Sequence, residues 1–73
     1  MNNKPEVGAE YRHFKGAIKR VIAIAKCCDT LADLVVYETV SGGDADFPNG
    51  TTWVRPMASW LELKDGKPRF EKI

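Results

Sequence analysis

The chain has 73 residues, 44% of them hydrophobic and 29% charged, and a formal net charge of +1. That length holds one domain, 1–73, and buries only about 60% of the surface its unfolded form exposes, which disfavours a deep, water-free, multi-step active site. The longest apolar run, Val21 to Ala25, is far below the ~20 residues of a spanning helix, and Met1-Asn2-Asn3-Lys4-Pro5 lacks the apolar core of a secretion signal, so a cytoplasmic protein with no membrane partner is expected.

Residues 1–7, with Pro5 and no apolar period, read as a loose lead-in. Gly8 to Phe14 reads as a first extended piece. The two-residue repeat of a strand puts Tyr11 and His13 on one side of it and Arg12 and Phe14 on the other. Lys15-Gly16 then turns the chain. Over 17–27 the residues Ile18, Val21, Ile22 and Ala25 sit at helical spacing, so an amphipathic helix competes with a strand. Val21, Ile22 and Ile24 are β-branched, stiff at χ1 and better suited to a pleated sheet, which favours the strand.

Asp29 and Thr30 supply turn chemistry, and Leu34 to Val40, rich in Val, Tyr and Thr, is the clearest strand of the chain. Residues 41–50 form a long acidic loop with three glycines, Pro48 and the turn dipeptide Asn49-Gly50. Thr51 to Arg55 is a short strand with Trp53 and Arg55 on one side and Val54 on the other. Pro56 suits the first position of a helical turn, and Met57 to Leu61 makes one turn that presents Met57, Trp60 and Leu61 inward. Asp65-Gly66 marks a tight turn, and Pro68 to Ile73 closes as an edge strand, where a leading Pro is tolerated. These elements predict an all-β fold, a small five-stranded SH3-like barrel with one short helical turn before the last strand. Closing the sheet on itself leaves a short chain few exposed edges.

Charge is unevenly spread. Residues 1–28 carry +4, residues 29–50 carry −5 and residues 51–73 carry +2. Basic ends that met on one face would attract an anionic partner, but the overall charge is too low for a strong non-specific DNA binder. Cys27 and Cys28 are adjacent, a spacing at which a disulfide is strained; with His13 as the single histidine they leave a zinc site short of ligands. Reduced thiols in a reducing compartment are expected. The run Asp44 to Gly50 glances toward a calcium loop but has its Gly one place late and Arg55 at the twelfth position. No Walker loop, dinucleotide fingerprint or zinc spacing is present, so no cofactor or metal is expected.

Two blocks concentrate the chemistry. Tyr11-Arg12-His13-Phe14-Lys15-Gly16 holds aromatics and cations beside a turn, and Trp53-Val54-Arg55-Pro56 repeats the theme. Together with Gly8, Val21, Ala25, Thr30, Val36-Tyr37, Trp60, Gly66 and Arg69-Phe70, they make the chain resemble a bacterial family known as domain of unknown function 1653, from about Gly8 to Phe70. The resemblance implies a compact, mainly β domain with no assigned activity and no catalytic residues. The chain departs from that family's pattern at Lys19, where an aromatic is usual, at Ala32, where an acid is usual, and in a longer 41–50 loop.

The candidate surface comprises Tyr11, His13, Lys15, Tyr37, Trp53, Arg55 and Arg69. Tyr11, Tyr37 and Trp53 would make an aromatic platform of the kind that grips proline-rich peptides, methylated cations or bases; the bland reading is cross-strand packing with solvated charges at its rim. Trp60 is assigned to the core, where a small barrel needs large apolar side chains. A non-catalytic module for a peptide or protein partner is the leading expectation. Single-stranded nucleic acid, RNA in particular, is the alternative. A small thiol enzyme pairing His13 with Cys27 or Cys28 is the lesser one, because nothing supplies an orienting third group.

Overall fold

A computed structural model describes residues 4–73. The elements run β1 (Glu10–His13), β2 (Ile18–Lys26), β3 (Asp33–Ser41), β4 (Thr52–Pro56), α1 (Met57–Trp60), β5 (Leu63–Lys64), β6 (Lys67–Pro68) and β7 (Phe70–Lys72). Five strands form one antiparallel sheet in the order β4-β3-β2-β1-β7, and β5 pairs β6 in a separate two-stranded ribbon. The β-branched run over 17–27 is therefore a strand, because β2 finds partners on both sides. It meets β1 through Tyr11 opposite Lys19 and β3 through Val21 opposite Tyr37. Register shifts at Ile18/Lys19 and Val21/Ala23 mark bulges, which add twist and bend a long hairpin over its own core.

The core lies on the concave side and is aromatic. Tyr11, Val21, Val35, Tyr37, Trp60 and Phe70 are its buried members. Trp60, delivered by the single turn of α1, stacks on Phe70 with ring centroids 3.7 Å apart and planes 3° from parallel. Tyr11 and Tyr37 meet the same indole edge-on at 5.2 and 5.3 Å. Edge-to-face contacts set the positive rim of one ring against the negative face of the next and add about 0.5–1.5 kcal/mol per pair to area burial. Trp60 thus holds the place the sequence assigned to it.

Three expectations need correction. The loose lead-in is tied down over its described part: the Tyr11 hydroxyl accepts the Glu6 N–H at 2.9 Å and donates to the Lys4 carbonyl at 3.4 Å, and Pro5 is buried. Residues 1–3 lie outside the described residues. Leu61 does not point inward but remains 43% exposed, because α1 ends at Trp60 and Leu61 is already its cap. The predicted last strand, 68–73, is broken at Arg69, so that Pro68 closes the small ribbon and Phe70 to Lys72 alone return beside β1. The turn between β5 and β6 is the expected Asp65-Gly66, with φ of +54° and +79°, the left-handed geometry that tight hairpins require. No described helix is long and apolar enough to cross a membrane.

Candidate functional site

Adjacent residues on β2 meet opposite fates. Arg20 faces outward between Glu10 of β1 and Glu38 of β3, at 2.7 and 3.5 Å. Lys19 faces inward, and its ammonium donates to the Thr39 hydroxyl at 2.8 Å. It stands 5.2 Å from the centre of the Trp53 ring and 5.9 Å from that of Tyr37. Thr39 is only 2% exposed, and its oxygen also accepts the Trp53 indole N–H at 3.0 Å. One hydroxyl therefore locks a cation and an indole into a single geometry.

These groups form the floor of an open cavity of about 310 Å³ lined by His13, Lys15, Ala17, Lys19, Thr39, Gly42, Gly43, Asp44, Phe47 and Trp53. Its far wall is the 41–50 loop, which is folded tightly rather than draped. Asp44 Oδ1 accepts the N–H groups of Asp46 and Phe47 at 3.0 and 2.7 Å, and Asn49 Oδ1 accepts that of Gly43 at 2.9 Å. A Cβ at Gly42, whose φ is +79°, would lie 2.9 Å from the Ala17 Cα; one at Gly43 would lie 2.6 Å from the Asn49 nitrogen. Close approach of this kind is what glycine permits. It sets Phe47 against Trp53 at 5.1 Å between centroids while leaving Phe47 53% exposed.

The electrostatics of the cavity are one-sided. Burial, followed by the charges of Lys19, Arg55, Arg69 and Lys15, lowers the His13 pKa from 6.5 to about 4, so the imidazole is neutral at pH 7. Its Nδ1 accepts the Lys15 N–H at 3.2 Å, which assigns the ring proton to Nε2. Burial and then the neighbouring Arg55 also lower the Lys19 pKa. Arg55 is held by neutral groups: its Nε donates to the Tyr37 hydroxyl at 3.2 Å and its Nη1 to Ser59 Oγ at 2.9 Å. Among the described residues no carboxylate pairs with Lys15, Lys19 or Arg55. Asp44 is the single acid in the lining.

Three of the seven candidate residues, His13, Lys15 and Trp53, line this cavity. Arg55 lies behind it, holding Tyr37. Arg69 is paired with Glu62 at 2.6 Å and reaches the cavity through its field on His13. The aromatic platform is overturned, since Tyr11 is 1% and Tyr37 4% exposed; both rings are needed around Trp60, and only their hydroxyls find polar partners. Lys19, Thr39 and Phe47 were not among the candidate surface residues. Lys19 carried a usable signal, because it shares strand parity with Val21, the buried side of β2.

The thiol constellation fails on topology. His13 lies beyond the Arg12–Ile18 pair at the start of β2, whereas Cys27 follows the far end of that nine-residue strand, roughly 25 Å away at about 3.3 Å per residue. Both thiols are free. Hydrogen bonds from the Thr30 hydroxyl and the Thr30 and Asp29 backbone lower the Cys27 pKa, a local effect of the β2–β3 turn. No group of three or more His, Cys, Asp or Glu among the described residues is arranged to hold a metal.

Residues 9–72 match the family described as "Protein of unknown function (DUF1653)". The chain belongs to that family. The match covers β1 to β7 and every residue lining the cavity, so the groove lies within the family's domain. Neither the curated proteins nor the solved structures hold a significant match to the chain.

Proposed function

We propose that this domain is a non-catalytic binding module whose groove takes an anionic segment of a peptide or protein partner. The observation that carries the reading is Lys19, an ammonium half-buried on Thr39 and Trp53 that no carboxylate among the described residues pairs with. Taking a charge partly out of water is costly unless it is paired, and an incoming acid would supply the missing partner. Lys15 and the His13 Nε2–H add donors to the same cavity, and the Phe47–Trp53 wall offers an apolar surface for whatever carries the anion.

A peptide or protein partner is favoured over single-stranded nucleic acid because stacking of successive bases needs a row of exposed rings. With Tyr11 and Tyr37 buried, the partly exposed rings fall in two pairs, Phe47 with Trp53 and Phe14 with His13. The strand order supports reading the fold as an SH3-like barrel: the last strand returns beside the first after a single helical turn. A cytoplasmic setting belongs to the same reading, supported by two adjacent cysteines whose spacing disfavours a bridge.

The test is a ¹H–¹⁵N chemical-shift titration with a capped glutamate-rich hexapeptide and its lysine-rich counterpart. The acidic peptide is expected to shift Gly42, Gly43 and the Trp53 indole N–H, and Lys19→Met to abolish those shifts. Shifts scattered over the outer face, or an equal response to both peptides, would overturn the reading.

A further inference from the structure

We propose that the group this groove prefers is a phosphate monoester on a peptide side chain, with an apolar neighbour seated on Phe47 and Trp53. The inference rests on the anion-binding reading above and goes on to name the anion. The lining draws its donor-bearing residues from separate elements: Lys19 of β2, whose Nζ is fixed on Thr39, His13 at the end of β1, and Lys15 of the β1–β2 turn, whose flexible side chain rests over the Phe14 ring at 5.8 Å and can swing to an incoming anion. A two-pronged guanidinium matches carboxylate and phosphate alike, and none is offered in the lining, so geometry and charge of the separate donors decide. Arg55 is engaged with Tyr37 and Ser59, and Arg69 with Glu62.

Separate ammonium and imidazole donors suit a tetrahedral group with three acceptor oxygens, as a point-charge lysine does in other phosphate sites. Charge points the same way. A phosphate monoester carries about −1.5 to −2 at pH 7, against −1 for a carboxylate, and the cavity holds positive charge that no described acid pairs. The opposing element is Asp44, a lining residue whose Oδ1 is engaged with its own turn. Asn at that position keeps the turn's acceptor oxygen and removes the repulsion.

The experiment compares capped dipeptides of phosphoserine-leucine, glutamate-leucine and serine-leucine, with inorganic phosphate and uridine monophosphate as further probes, by the same titration at pH 7.5. Phosphoserine-leucine is expected to bind at least tenfold more tightly than glutamate-leucine and more tightly than inorganic phosphate. Asp44→Asn should tighten it severalfold, and Lys19→Met should weaken it at least tenfold. Equal affinity for the phosphoserine and glutamate dipeptides overturns the phosphate inference and leaves the anionic-peptide reading standing. Uridine monophosphate binding more tightly than phosphoserine-leucine overturns the peptide side chain as its carrier. No response to any anion overturns both.

Discussion

Two faces of one sheet treat their cations differently. On the outer face Arg20 bridges Glu10 and Glu38 across three strands, an arrangement complete in itself and exposed to water. On the inner face, one residue away, Lys19 is partly desolvated, fixed by a neutral hydroxyl and repelled by Arg55. The outer ladder has the character of scaffold, where exposed ion pairs contribute little. The inner cluster holds a partly desolvated ammonium beside another cation, the kind of local cost that natural proteins carry at functional sites.

The sharpest way to break this contrast is to remove the hydroxyl on which the inner face depends. Thr39→Val leaves the Trp53 N–H and the Lys19 ammonium without their shared acceptor, and a loss of about 1–3 kcal/mol in urea unfolding is expected. An unchanged midpoint would mean that water replaces Thr39 freely and that the site is not preorganised. Next in size is a matched pair of substitutions on adjacent residues. Lys19→Met should weaken binding of the acidic hexapeptide at least tenfold, with thermal stability unchanged or raised, because a desolvated charge is replaced by an apolar chain. Arg20→Met should leave binding within twofold and lower stability by less than about 1 kcal/mol. Equal effects of the two on binding would remove the distinction between the faces.

A smaller effect sharpens the comparison through pH. His13 resists protonation when folded, with a pKa of about 4 against 6.5, so the unfolded chain binds this proton first. Its contribution to stability is therefore fully present above pH 6.5 and declines as pH falls toward 4. Denaturation midpoints should show that decline, and His13→Gln should flatten it. An anion in the groove should raise the His13 pKa, read from the imidazole C–H resonance across a titration; a pKa indifferent to the hexapeptide would place its binding elsewhere.

Much of the fold is written locally. The β-branched residues of β2, the Val–Tyr–Thr pattern of β3 and the Asp65-Gly66 turn each act over a few residues, and strand parity correctly set Trp53 and Arg55 on one side of β4. Parity does not say which side is inside, and that is where Tyr11 and Tyr37 misled: an amphipathic ring suits a platform as well as a core. Trp60 decides the matter, and it arrives from far along the chain. The site was harder still. Parity with Val21 marks Lys19 as a cation on the buried side of β2, but its neighbours Tyr11 and Thr39 reach it only across two strand pairings, and Gly42 and Gly43 bring the 41–50 loop against Ala17 and its own far end.

The placement of the two indoles has a practical consequence for spectroscopy. Trp60 is sealed against Phe70 in the interior, so its emission reports whether the domain is folded. Trp53, half-buried at the mouth of the groove beside a lysine, is open to quenching by whatever enters. A Trp53→Phe protein isolates the first signal and a Trp60→Phe protein the second, giving one small domain separate optical reporters of integrity and occupancy.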